Sequence, residues 1–118
     1  MGITTVTLKI KNLHDPSKVV EGEFLVDSGA AYTVIPQKMV KKLGLKPSYQ
    51  QEFILADGRK VKRNIASAFV KFSGREAATP VVLGKEKDSA LLGVLTLEAL
   101  GLALDPFERK LYRAKMML

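Results

Sequence analysis

The segment Phe24-Leu25-Val26-Asp27-Ser28-Gly29-Ala30 places a carboxylate straight after three core-type residues. Ionising a carboxylate there is costly unless hydrogen bonds hold it. Gly29 permits the tight backbone turn that brings neighbouring N–H groups onto such a carboxylate, and Ser28 adds a hydroxyl that can hold the loop. Read alone, Asp-Ser-Gly is an Asx turn. Other reactive side chains are few. The 118-residue chain has no cysteine and one histidine, His14. Disulfides, thiolate zinc sites and cysteine nucleophiles are excluded, and a Ser-His-Asp or multi-histidine metal site would need a partner chain. His14 stands in a turn beside Asp15 and Pro16 and reads as an exposed loop residue. Glu98, inside an apolar helical run, reads as that helix's wet edge, and Gly84-Lys85 with Ser89 lacks the spacing of a phosphate loop.

The elements that must position Asp27 follow from hydrophobic periodicity. Val6, Leu8 and Ile10 alternate with Thr5, Thr7, Lys9 and Lys11, which predicts a strand with one wet face. Val19 to Val26 predicts a second strand that runs into the core and stops at Asp27-Ser28-Gly29. Tyr32 to Ile35 resumes as strand until Pro36. Residues 37–43 predict a short helix: Pro36 suits its first turn, Met39, Val40 and Leu43 share a face, and Gly44 can cap it. Phe53 to Ala56 and Val61 onward form a hairpin across Asp57-Gly58. Residues 61–73 predict a long strand, and Gly74-Arg75 turns it into another that reaches Leu83. A charged loop over 84–89 leads through Leu91-Leu92-Gly93 into a buried helix, Val94 to Leu100, ended by Gly101. Leu102 to Leu104 resumes as strand, Asp105-Pro106 turns, and Leu111-Tyr112 pairs back. The expectation is one small, mostly β domain over residues 1–118 with two short helices.

Composition places the chain among globular proteins, with 47% apolar and 26% charged residues. Its net charge of +7 comes from basic groups at Lys38, Lys41, Lys42 and Lys46, at Arg59, Lys60, Lys62 and Arg63, and at Arg109, Lys110, Arg113 and Lys115. Tyr112 alone among the aromatic residues falls within these runs and no nucleic-acid motif is present, so they read as solvated faces and nucleic acid is set aside as a partner. The start has no apolar h-region, and Val6 breaks the myristoylation pattern that Gly2 would open. The apolar stretch Ala90 to Leu104 is interrupted by Glu98 and is shorter than the roughly 20 residues a bilayer span needs. The expectation is a cytoplasmic protein without membrane attachment.

With its flanks, the chain from about Val19 to Pro106 resembles the retropepsin-like aspartic proteases in three elements, in order. The apolar strand, Asp27-Ser28-Gly29-Ala30 and then Tyr32-Thr33-Val34-Ile35-Pro36 are similar to that family's active-site segment. Leu55-Ala56-Asp57-Gly58-Arg59-Lys60-Val61 stands where the family places its flap. Ala90-Leu91-Leu92-Gly93 leading into Val94 to Gly101 is similar to its second signature, an apolar pair and a glycine entering a short helix beneath the catalytic loop.

The resemblance implies an all-β, retropepsin-like half-barrel with one or two short helices and an aspartic-type endopeptidase activity that needs neither metal nor cofactor. It makes Asp27 the catalytic carboxylate, gives Ser28 and Gly29 the shaping of its loop, and sets Ala30 against the substrate cleft. Leu55, Ala56, Asp57, Gly58 and Arg59 become the flap tip, and Leu91, Leu92 and Gly93 the second signature. Such enzymes use two carboxylates, one ionised to activate water and one protonated to polarise the scissile carbonyl. At about 3 Å and an effective dielectric near 20, two like charges repel by roughly 5 kcal/mol, so near neutrality the pair shares one proton. This chain has one Asp-Ser-Gly, since Asp88-Ser89 is followed by Ala90, and Asp57-Gly58 and Asp105-Pro106 are turn dipeptides. The implied enzyme is therefore a homodimer with Asp27 of each subunit at the two-fold axis. Its peptide or protein substrate would lie extended across the cleft, adding strand-like hydrogen bonds to the flap. The apolar ends, near Ile3 and at Met116 to Leu118, are the candidates for interleaved terminal strands. The flap candidate departs from the family in carrying one glycine, Gly58, among charged neighbours, where retropepsin flaps are glycine-rich. The alternative is a catalytically silent retropepsin-like module for dimerisation or peptide binding.

Overall fold

Alternation turns Leu8 and Ile10 of β1 (Thr5–Asn12) and Phe24 and Val26 of β2 (Val19–Val26) to the interior, where all four are buried. The two strands pair antiparallel, Thr5 opposite Leu25 and Lys11 opposite Val19. The computed structural model describes residues 4–118, so the terminal-strand contact expected near Ile3 lies outside the described residues. After β2 come β3 (Thr33–Ile35), α1 (Gln37–Leu43), β4 (Tyr49–Ile54), β5 (Lys60–Phe72) and β6 (Arg75–Leu83). The chain continues with β7 (Leu91–Leu92), α2 (Val94–Ala99), β8 (Leu102–Asp105) and β9 (Lys110–Arg113).

Seven strands form one sheet in the order β1-β2-β7-β3-β6-β5-β4, and β5 pairs a second time with β1. That extra pairing, Ile10 opposite Val70 and Asn12 opposite Ala68, closes a ring and leaves β4 as an appended edge. The core inside the ring is made by Leu8, Ile10, Phe24, Ile35, Val70 and Leu92, with Leu97 and Leu100 of the α2 region closing one side. Helix α1 ends as expected: Gly44 takes φ 64°, a left-handed conformation that glycine adopts without penalty, and its N–H donates to the Val40 carbonyl. Asn12 Nδ2 donates to the Leu43 carbonyl at 2.8 Å and so ties the helix end to β1.

Several boundaries differ from the expectation. Tyr32 precedes β3 rather than opening it, and α2 ends at Ala99, with Leu100 capping it and Gly101 at φ 69° leading the chain away. β4 begins at Tyr49, four residues before the apolar signal at Phe53. Its start, Tyr49-Gln50-Gln51-Glu52, is exposed on both faces and so carries no alternation to read. β8 and β9 pair with each other as a separate two-stranded sheet, Leu104 opposite Leu111. Residues 114–118 follow β9 without regular structure, and Met116, Met117 and Leu118 are exposed. No helix among the described residues is long and apolar enough to cross a membrane.

Candidate active site

Strand β7 is two residues long, yet it inserts between the strands on either side of Asp27. Leu91 and Leu92 run parallel beside Leu25 and Val26, and Leu91 also faces Val34 antiparallel. The Leu25 N–H donates to the Ala90 carbonyl at 3.1 Å and the Asp27 N–H to the Leu92 carbonyl at 3.0 Å. From the other side, the Val26 N–H donates to the Thr4 carbonyl at 2.8 Å. The strand that delivers the carboxylate is thereby gripped on both edges. The second signature, Leu91-Leu92-Gly93, is the grip.

Beyond Asp27 the chain turns, with the Ala30 N–H donating to the Asp27 carbonyl at 3.1 Å. The Gly29 N–H donates to Asp27 Oδ1 at 2.9 Å, so the carboxylate is held by the glycine two residues on. A Cβ at Gly29 would stand 3.2 Å from that same oxygen, closer than a side chain sits without displacing its neighbour. Asp27 is partly exposed, Ser28 and Gly29 are exposed, and the carboxylate stands at the surface of the barrel.

The loop then caps α2. The Val94 and Leu95 N–H groups, which lack partners within the helix, donate to the Ala30 and Ala31 carbonyls at 2.8 and 2.9 Å. Beneath them runs a buried chain of hydroxyls that the sequence reading did not anticipate. The Gly93 N–H donates to Thr33 Oγ1 at 3.0 Å, Thr33 donates to Thr96 Oγ1 at 2.6 Å, and Thr96 and Thr79 share a hydrogen bond at 3.2 Å. All three threonines are buried. The available signal was Thr96, a hydroxyl in an otherwise apolar helix face; nothing in the order of residues names its two partners. A Cβ on Gly93 would overlap the Tyr32 carbonyl, so the second-signature glycine is required by the loop it supports.

The flap candidate is a hairpin, as expected. β4 and β5 pair antiparallel from Tyr49 opposite Ile65 to Ile54 opposite Lys60, with Phe53 opposite Val61. Its tip is a self-contained turn. The Gly58 N–H donates to the Leu55 carbonyl, the Leu55 N–H to the Arg59 carbonyl, and Gly58 takes φ 86°. Asp57 accepts the Arg59 backbone N–H at 3.0 Å and its Nε at 2.7 Å, and these bonds hold the Asp57 carboxyl below the ordinary carboxylate range. Leu55, Ala56, Asp57, Gly58 and Arg59 are all exposed.

The hairpin touches the active-site loop through an aromatic contact. The Tyr32 and Phe53 rings meet edge to face at 5.6 Å. A hydrogen bond with Tyr32 also raises the Tyr49 phenol above the usual tyrosine range. One basic group departs from the solvated role expected of it. Arg63 is largely covered and forms a two-pronged ion pair with Asp88, Nε to Oδ2 at 2.6 Å and Nη2 to Oδ1 at 3.1 Å. His14 and Glu98 are exposed, as read from the sequence.

A six-strand ring with Asp27 at its surface, a short strand wedged beside it and a hairpin in contact with its loop define an aspartic-protease fold of the retropepsin type. Residues 18–99 match the family described as "gag-polyprotein putative aspartyl protease", and the chain belongs to that family. EIAV protease, in complex with the inhibitor HBY-793, is similar with a TM-score of 0.63 at 20% identity, over 99% of this chain and 94% of that one. A retropepsin-like aspartic protease from Rickettsia conorii is similar with a TM-score of 0.51 at 18% identity, over 89% of each chain. The simian foamy virus (mac) protease gives 0.50 at 18% identity, over 75% of this chain and 87% of that one. At these identities the likeness establishes the fold. A comparison with curated protein sequences finds no match.

Proposed function

We propose that this chain is an aspartic-type endopeptidase that works as a homodimer, with Asp27 of each subunit supplying half of one site. The observation that carries the reading is the Asp27 loop itself. A carboxylate is brought to the surface by a strand held on both edges, fixed by the Gly29 N–H, and overlooked by a hairpin that can lie across an extended peptide. One such loop supplies one carboxylate, and the chemistry needs two in opposite protonation states. A second copy of the chain supplies the other. Beside Ser28 lies a mostly apolar groove of about 380 Å³ lined by Val94, Leu97, Leu102, Leu104 and Met116, which gives a neighbouring subunit apolar surface next to the catalytic loop.

In the reaction, the ionised carboxylate takes a proton from water as the water oxygen bonds to the scissile carbonyl carbon. The protonated carboxylate gives its proton to the carbonyl oxygen, and a neutral tetrahedral diol results. Collapse of the diol returns one hydroxyl proton to a carboxylate. The other carboxylate protonates the departing nitrogen, the C–N bond breaks, and a carboxylic acid and an amine leave. The pair ends as it began, with one proton between two carboxyl groups. We place the protein in the cytoplasm as a single domain per chain acting on peptide or protein substrates.

The test is cleavage of unfolded casein by the purified protein across a hundredfold dilution series, with sedimentation at the same concentrations. Activity that is blocked by a hydroxyl-bearing transition-state mimic and lost as the dimer dissociates is the expected result. Full specific activity in a sample shown to be monomeric would overturn the shared site. A dimer that binds peptides without cleaving them would establish the silent module instead.

A further inference from the structure

The geometry points to Arg63 and Asp88 as positioning residues, a clamp that holds the β4–β5 hairpin against the chain entering the Asp27 grip. The inference rests on the proposed function for its consequence, but the clamp itself is a property of the fold. Arg63 belongs to the inward face of β5 with Val61 and Ile65, while Lys60, Lys62 and Asn64 between them face water. Its guanidinium meets the Asp88 carboxylate with two bonds, at 2.6 and 3.1 Å, and the pair keeps 18% and 23% of its side-chain surface exposed. Such fork-to-fork pairing fixes direction as well as distance. Asp88 is itself fixed, because Oδ2 also accepts the Lys85 N–H at 2.8 Å. A further guanidinium bond, Nη1 to the Lys62 carbonyl at 2.9 Å, locks the arginine onto its own strand.

What the pair joins gives it its role. Two residues after Asp88, the Ala90 carbonyl accepts the Leu25 N–H, and the Leu92 carbonyl accepts the Asp27 N–H. On the other side, Arg63 lies opposite Gln51, two positions along the strand from the Phe53–Val61 pair that meets Tyr32. β4 is an edge strand with almost no burial, so its contacts with Tyr32, through Phe53 and Tyr49, and this ionic tie orient the hairpin beyond its own ladder. Loss of the ionic tie leaves the ladder and the core intact and frees the hairpin to swing.

The test compares the full-length wild type with Arg63→Gln, Asp88→Asn and the swapped pair Arg63→Asp with Asp88→Arg. Amide exchange is read in the hairpin (residues 49–61) and in the core strands, together with kcat and KM on unfolded casein. Each single variant is expected to raise hairpin exchange about tenfold with core exchange little changed, the signature of local rather than global opening. KM rises several-fold while kcat changes less, because a loose hairpin costs substrate binding before it costs chemistry. The swapped pair restores part of both. Hairpin exchange that is unchanged, or that rises only in step with the core, overturns the clamp. So does a loss confined to kcat. Should the wild type cleave nothing, the proposed function fails, and the exchange comparison alone decides the clamp.

Discussion

The loop that carries Asp27 and the hairpin that touches it through Tyr32 are both short departures from the barrel, and they are held in different ways. The loop is anchored from below: the Asp27 N–H bonds to β7, the Ala30 and Ala31 carbonyls cap α2, and the buried threonines hold Gly93 at the junction of the two. The hairpin is anchored mostly from within, by its own ladder and by a tip whose hydrogen bonds run among Leu55, Asp57, Gly58 and Arg59, and only the contacts with Tyr32 and the Arg63–Asp88 pair tie it outward. Buried, satisfied polar networks rigidify what they support, whereas exposed ladders open locally at low cost. A protease of this type needs both. In the proposed reaction the carboxylate stays put while the hairpin admits and releases a chain.

The largest expected effect falls on the rigid side. Asp27→Asn keeps the size of the side chain and a carbonyl oxygen for the Gly29 N–H, so fold and dimer should persist. Cleavage should drop by about a thousandfold or more, since an amide can neither accept the water proton nor share one. Near-full activity in the purified variant would remove Asp27 from the mechanism. Next is Thr96→Val, which keeps shape and strips the central hydroxyl from between Thr33 and Thr79. Thr33 then keeps only the bond it accepts from the Gly93 N–H, and Thr79 only its long bond to the Pro80 carbonyl, which should cost about 2 kcal/mol in urea unfolding; the same change in the hairpin would cost far less. A loss under a few tenths of a kcal/mol would show that the network is not what holds the loop.

Acid distinguishes the two regions in a different way. Hydrogen bonding to Arg63, reinforced by the Lys85 N–H, holds the Asp88 carboxyl below its ordinary value of 3.8. Its folded value is the depressed one, so its contribution to stability is complete above the unfolded value and is lost as pH falls through the folded one. With both side chains mostly covered, that contribution is about 1 kcal/mol. Asp88→Asn should therefore loosen the hairpin at pH 6 and lose that effect in strong acid, read as the ratio of variant to wild-type hairpin exchange against pH. An equal ratio at every pH would contradict this. The smallest effect belongs to the hairpin tip. A Cβ at Gly58 meets nothing within 4 Å, so Gly58→Ala pays only for the left-handed backbone at φ 86°, about 1 kcal/mol confined to the turn. Global stability should stay nearly unchanged, and a large shift in thermal midpoint would mean that the tip is packed after all.

What could be read from the residue order follows the same division. Strands with one buried face announced themselves, and β1, β2 and α1 fall where the periodicity of Leu8, Ile10, Phe24, Met39 and Leu43 put them. β4 was half hidden, because a strand wet on both faces has no alternation to display. The Leu91-Leu92-Gly93 signature was visible as a motif, yet its physical work, wedging between β2 and β3, depends on pairings more than 50 residues apart. Separation along the chain, from 17 to 63 residues, also hid the Thr33–Thr96–Thr79 chain and the Arg63–Asp88 pair. Each partner looked ordinary where it stood, an arginine in a basic run and an aspartate in a charged loop.

The central claim is that one site is built from two chains. Wild type and Asp27→Asn are mixed in varying proportion at constant total concentration, left to exchange subunits, and assayed on unfolded casein. A dyad shared across the two-fold makes every mixed dimer inactive, so activity should follow the square of the wild-type fraction. Activity in simple proportion to the wild-type fraction would mean that each chain carries a complete site, and would contradict the account.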